Sequence, residues 1–206
     1  TTSYNLDNLA LELKLNNGSL SIPKLDAGIL GGKLNSSVSL TAKGKKADLD
    51  TSIKLNGINI DQVPDLKDKI SGGKTDVTIK GKGSGKSVAD IMAGLNGQLL
   101  VKTGKGTLNN KAMNVAGADI LAKTVSLLNP NAKKDETTLE CAVVNFNIKD
   151  GLATADKGIA LLTTQMNVVG SGTVNLKTEE LDIGIDPQAR EGVGISAGQL
   201  AELVRI

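Results

Sequence analysis

The sequence predicts a mainly β fold with minor helix: a curved or folded-over antiparallel sheet forming an apolar groove or a flattened sandwich, with three or four short helices. Three observations predict it. Apolar and polar residues alternate with period two along much of the 206-residue chain, the mark of strands with one dry face and one wet face. Asn17-Gly18, Asn56-Gly57, Asn96-Gly97 and Asp150-Gly151 punctuate the alternation and supply the positive φ that tight hairpin turns need. Helical spacing is confined to a few short stretches, too few to roof so many strands.

Taken in order, Leu9, Leu11, Leu13 and Leu15 alternate with Ala10, Glu12 and Lys14 and predict a first strand. Leu49, Ile53 and Leu55 alternate with Asp48, Asp50, Ser52 and Lys54, and Val77 and Ile79 with Asp76, Thr78 and Lys80; both are further half-buried strands. Between them, "DQVPDLKDKI" (61–70) has the spacing of a short amphipathic turn or helix. "SVADIMAGL" (87–95) opens with Ser87 and Asp90 at capping-box spacing, so a helix is expected there. "MNVAGADILAKTVSLLN" (113–129) spaces Val115, Ile120, Leu121, Val125 and Leu128 for a helix over 114–128, which Pro130 stops. "NAKKDE" is a solvated linker into the last strands, and "SAGQLAELVRI" predicts a closing helix over 197–205.

The last group of strands begins with "LECAVVNF" and ends in "GSGTVNLKTEELDIGI" (170–185). There Val174 and Leu176, then Leu181, Ile183 and Ile185 after a polar turn, oppose Thr173, Asn175, Lys177, Asp182 and Asp186. This is a half-buried hairpin, and "GSG" at 170–172 reads as a strand-edge kink or bulge. Residues 17–40 and 150–176 share one series: hairpin turn, short strand, small residues, glycine pair, strand. One supersecondary unit is used more than once, without the regular period of a solenoid.

Composition excludes several function classes. Aromatics are 1% of the chain, with Tyr4 and Phe146 the whole supply, so the greasy face must be Leu, Ile and Val. A net charge of +2 from interspersed acids and bases, with no stacking aromatics, argues against nucleic-acid binding. No histidine is present, which removes the commonest general base and metal ligand. Cys141 is the single cysteine; within an apolar strand and without a histidine partner it is expected as a small buried hydrophobe. No apolar run is long enough to span a bilayer as a helix.

"KGKGSGKS" (80–87) follows a strand, precedes a helix and ends in Gly-Lys-Ser, the setting of a phosphate-binding loop. The spacing fails, because Lys80 stands five places before Gly85 where a glycine is required. A flexible turn leading to Ser87 as N-cap is the better reading. Asn35-Ser36-Ser37 fits a glycosylation acceptor by spacing alone, and the carboxylates Glu179, Glu180, Asp182 and Asp186 read as a solvated face rather than an acid–base pair. No catalytic, cofactor or metal residues are assigned.

"LNNGSLSIPKLDAGILGGKLNSSVSLTA" resembles the strand unit of the AsmA-like envelope proteins of Gram-negative bacteria, and the order and spacing from Ser84 to Pro187 resemble their C-terminal region. The block from Cys141 to Pro187 is the most specific part. The resemblance implies a single β-rich domain over 1–206, part of a longer periplasmic protein anchored in the inner membrane by an N-terminal segment with no counterpart in this sequence. It further implies kinship with bridge-like lipid-transfer proteins, hence a non-enzymatic role in outer-membrane biogenesis or inter-membrane phospholipid transport, with acyl chains, the membrane and other envelope proteins as partners. The family carries no shared catalytic residues to transfer.

Elementary energetics points the same way. Burying a Leu or Ile side chain gains about 1.5–3 kcal/mol, so many wet ones would cancel a net stability of about 5–15 kcal/mol. The apolar face must be covered by the sheet folding on itself as a closed structural or interaction domain, by neighbouring segments of a longer chain, or by acyl chains. The residues expected to line this face are Leu11, Leu13, Ile53, Leu55, Val77, Ile79, Val174, Leu176, Leu181 and Ile183, with Glu12, Lys14, Asp50, Lys54, Lys80, Lys177 and Asp182 on the solvent side.

Overall fold

The computed structural model describes residues 4–109 and 136–190. Twelve strands form one antiparallel sheet: β1 (Leu6–Asn16), β2 (Ser19–Ile29), β3 (Gly32–Lys43), β4 (Lys46–Asn59), β5 (Ile70–Gly72), β6 (Lys74–Gly85), β7 (Asn96–Thr103), β8 (Gly106–Asn109), β9 (Glu136–Lys149), β10 (Leu152–Thr163), β11 (Met166–Asn175) and β12 (Glu180–Ala189). The spatial order is β1-β2-β3-β4-β6-β7-β9-β10-β11-β12, with β8 continuing the β7 side of β9 and β5 pairing β8. Among the described residues β1 pairs only β2 and β12 only β11. The sheet is open, and nothing described closes it into a sandwich.

Alternation decides these strands, and many cross-strand neighbours match in polarity, as Leu55 with Val77 and Asp50 with Lys82 do, though pairs such as Ser36 with Ile53 do not. The Asn17-Gly18 and Asp150-Gly151 turns form as expected, with both residues of each at positive φ. The other two Asn-Gly pairs do not turn the chain. Gly57, at φ +61°, sits inside β4 at the register shift between Leu55 and Ile58. Positive φ serves a β-bulge as well as a hairpin, so the dipeptide alone does not discriminate. Asn96-Gly97 opens β7, with Gly97 directly across from Gly81 and Ile148.

Of the two helices expected within the described residues, one forms. Residues 88–93 form α1 (Val88–Ala93), with the Ser87 side chain accepting from the Asp90 N–H at 3.1 Å. The Asp90 carboxylate reaches back to the Lys86 N–H at 3.1 Å. Over 61–70 the helix is absent: a single 3₁₀ turn, Ile60–Gln62, gives way to turns and then β5. Pro64 cannot continue a helical ladder, and Asp68 adopts φ +67°. The expected helices over 114–128 and 197–205 lie outside the described residues.

Two hairpins, β2–β3 and β10–β11, carry the series that the sequence repeats, and each contains a register shift, between Ile22 and Leu25 and between Ala155 and Ile159. The expected irregularity at Gly170–Gly172 is therefore carried by the facing strand β10, while β11 pairs β12 without a break. Gly172 is needed for closeness: a Cβ there would fall within 2.1 Å of the Asp182 carbonyl oxygen.

Candidate functional site

Residues directly opposite in an antiparallel ladder share a face, so the register traces the apolar face strand by strand. One row runs Leu11, Leu25, Ser36, Ile53, Ile79, Leu99, Phe146 across β1 to β9. The next runs Leu34, Leu55, Val77, Val101, Val144, Ile159, Gly170, Ile185 out to β12. A third joins Ile148, Ala153, Val174 and Leu181. Side chains from strands more than a hundred residues apart thus form one surface, with Ser36 and Thr51 as its small polar interruptions.

Cover over this face is uneven. It is deepest at β9–β11, where Phe146, Ala153 and Ala155 form a buried cluster against Leu99, Val144, Ile148, Ile159, Val174 and Ile183. Beyond it, Leu139, Met166 and Thr163 are fully enclosed. Ile53, Leu55, Val77 and Ile79 are half-buried. Towards the edges the face lies open: Leu11 is 54% exposed, Leu15 74% and, on β12, Leu181 59%.

At one end of the strands α1 leans onto this face. Leu95 and Ile91 are buried over Gly81 and Gly83, whose added Cβ atoms would meet Leu95 Cδ1 at 3.2 Å and the Ile91 carbonyl at 2.8 Å. The glycine-rich "KGKGSGKS" is thereby explained. Its glycines lie within β6 and make a flat seat for a helix, not a phosphate cradle. At the other end Thr75 and Thr103 are buried as a hydroxyl pair at 3.0 Å, Thr75 also sitting 2.8 Å from the Gly73 carbonyl.

Of the ten residues expected to line the face, Ile53, Leu55, Val77, Ile79, Val174, Leu181 and Ile183 are joined by register, as is Leu11 at the margin. Leu13 falls at the irregularity between Glu12 and Lys14 on β1 and is 56% exposed. Leu176 lies in the β11–β12 turn, half-buried, its N–H donating to the Gly151 carbonyl at 2.8 Å. Glu12, Lys14, Asp50, Lys54, Lys80, Lys177 and Asp182 are all exposed. Sequence reasoning missed Leu99, Val144 and Ile159, because the apolar runs that hold them, "QLLVKT", "CAVVNF" and "GIALLT", blur the period.

Cys141 is exposed, against expectation. A register shift between Leu139 and Cys141 on β9 breaks the alternation, so Leu139 is buried while Cys141 is turned out.

The opposite face is polar and carries ion pairs: Lys82 to Asp50 at 2.8 Å, Lys43 to Asp48 at 2.5 Å, Lys24 to Asp26 at 3.5 Å. The Lys43 ammonium and the Ser84 hydroxyl hold the Asp48 carboxyl below its ordinary pKa, and the Asn35 amide does the same for Asp26. Asp48 and Asp50 raise Lys43 and Lys82 in turn. The Asn35 amide donates to Asp26 at 2.9 Å, so the acceptor-like tripeptide lies mid-strand with its side chain engaged. Among the described residues no His, Cys, Asp or Glu group is arranged to hold a metal, and no helix is long and apolar enough to cross a membrane.

Comparison with known proteins adds two findings. The family model described as the AsmA family matches residues 2–157. The AsmA family protein YhjG of Escherichia coli (strain K12) is 25% identical over 191 residues, covering 92% of this chain and 27% of that protein. The chain thus spans about a quarter of this relative's length. No solved structure matches.

Proposed function

This chain belongs to the AsmA family, and from that premise we propose that it is a non-enzymatic, periplasmic part of an inner-membrane-anchored envelope protein, whose aliphatic face holds phospholipid acyl chains during outer-membrane biogenesis or inter-membrane phospholipid transport. Family membership fits an envelope role. The observation that carries the finer reading is the one-sided, mainly aliphatic face traced from β1 to β12, open at both margins with Leu11 at 54% and Leu181 at 59% exposure. A contiguous apolar surface of this extent marks a binding face. Its aliphatic side chains offer a smooth, non-directional lining suited to a disordered chain, where a selective small-molecule pocket would add aromatics and convergent polar groups. The closed-sandwich alternative is not favoured, because β1 and β12 stand at opposite ends of the strand order.

The test is organic extraction and mass spectrometry of protein purified from a Gram-negative host, with Ile53→Asp and Ile79→Asp alongside. Folded variants stripped of the parent's co-purifying phospholipid are the expected result. A lipid-free parent together with variants that unfold would overturn the reading.

A further inference from the structure

We propose that the end of the sheet beside α1 is a membrane-docking rim, fitted to a bilayer surface rich in anionic phospholipid. The β3–β4 connection is the two-residue turn Gly44-Lys45, closed by Lys43 and Lys46, which face each other directly in the ladder. Gly44 supplies the turn's φ of +62°, so its geometry asks for no lysine. On the other side Ala47 pairs with Gly85, which brings Lys86 beside Lys46. Four lysines therefore share one short margin of three neighbouring strands.

Like charges directly opposed across a ladder are destabilising. Lys43 is neutralised by Asp48. Lys45, Lys46 and Lys86 form no salt bridge among the described residues; Lys46 feels the Asp48 carboxylate only at longer range, and the Asp90 carboxylate accepts from the Lys86 N–H. Behind the margin Asp50 is likewise occupied by Lys82. Beside these charges Val88 stands 77% exposed at the start of α1, although Ile91 and Leu95 already seat the helix on the sheet. A cluster of four lysines against the two carboxylates Asp48 and Asp90, flanking an exposed aliphatic side chain, keeps an excess of positive charge complementary to anionic head groups over an apolar layer. A soluble polyanion would leave Val88 without a role. The opposite end of the strands has lysines too, but there the exposed Lys67 stands among Asp61, Asp68 and Glu136.

This inference does not rest on acyl-chain binding, and its readout is separate. Flotation with vesicles of phosphatidylglycerol in phosphatidylcholine, against phosphatidylcholine alone, should show binding only to the former. At about fivefold per lysine, K45Q/K46Q/K86Q should bind roughly a hundredfold more weakly. Val88→Ser should weaken binding several-fold, and salt near 1 M should abolish it, since the screening length falls to about 3 Å. K67Q/K102Q/K105Q, an equal loss of charge at the other end of the strands, should float like the parent. Unchanged thermal melting confirms that each variant is folded. Equal loss in both triple variants, equal binding to phosphatidylcholine alone, or no binding by the parent would overturn the proposal.

Discussion

Gly83 lies directly beneath Ile91, so closely that a methyl group on its Cα would reach within 2.8 Å of the Ile91 carbonyl oxygen and 3.0 Å of Ile91 Cγ2. The backbone on both sides of that contact is fixed, by the β6 ladder below and the Ser87 cap above. Gly83→Ala should therefore cost about 1–3 kcal/mol, a fall in Tm of about 2–4 °C per kcal/mol. Gly104→Ala is the control. Its Cβ would meet only the Lys74 carbonyl at an ordinary 3.5 Å, so its Tm should stay level or rise slightly. Equal losses for the two would mean that α1 is not seated on β6.

The uneven cover of the apolar face gives a second contrast. Phe146 is 8% exposed and Leu15 74%. Phe146→Ala should cost about 3–5 kcal/mol in urea titration, while Leu15→Ser should lie within about 0.5 kcal/mol of the parent. A large loss at Leu15 would show that another part of the protein covers β1 in solution.

Acid should weaken the fold through two carboxylates. Asp26 and Asp48 hold pKa values below their ordinary 3.8, so their stabilisation is complete above that value and is lost as pH falls through the lower folded values. Asp48→Asn should flatten the decline of the urea midpoint below about pH 4. Lys43 and Lys82 are raised above 10.5. Their contribution is complete below that pH and disappears as pH climbs through the folded values, so the same variant should also lose part of the alkaline decline through Lys43. An unaltered acid limb in Asp48→Asn would contradict the Lys43–Asp48 pairing.

The strands were legible because a two-residue period leaves little freedom. Once Ile53 and Lys54 take opposite faces, so must Leu55 and Asn56. Turn chemistry was less decisive. Asn17-Gly18 and Asn56-Gly57 look alike, yet one reverses the chain and the other bulges a strand, since positive φ serves either end. The turn at Leu30-Gly31 carries no comparable signal at its first position, where leucine adopts φ +50°. The depth of cover over Phe146 was not legible at all. It depends on β9 being inserted between β7 and β10, a pairing between distant parts of the chain that no local pattern encodes. Cys141 was misread for a related reason: the shift that turns it outward belongs to the β9–β10 pair rather than to β9 alone.

The strand order also governs how the molecule comes apart. From β1 to β4 and again from β9 to β12, each strand is laddered to its immediate neighbour in the chain, so loop-closure entropy is small at every one of those steps. Such a ribbon behaves as a nearly one-dimensional array whose stability is a sum of nearest-neighbour terms. Its terminal strands are expected to fray locally before the cooperative transition of the middle, where the Gly83 and Phe146 variants report. β1, exposed along its length and paired on one side among the described residues, is expected to exchange its amide protons before the buried stretch around Phe146. Among the described residues this strand presents its leucines beside a backbone edge that no ladder fills, so the β1 margin is a place where the sheet accepts a further strand.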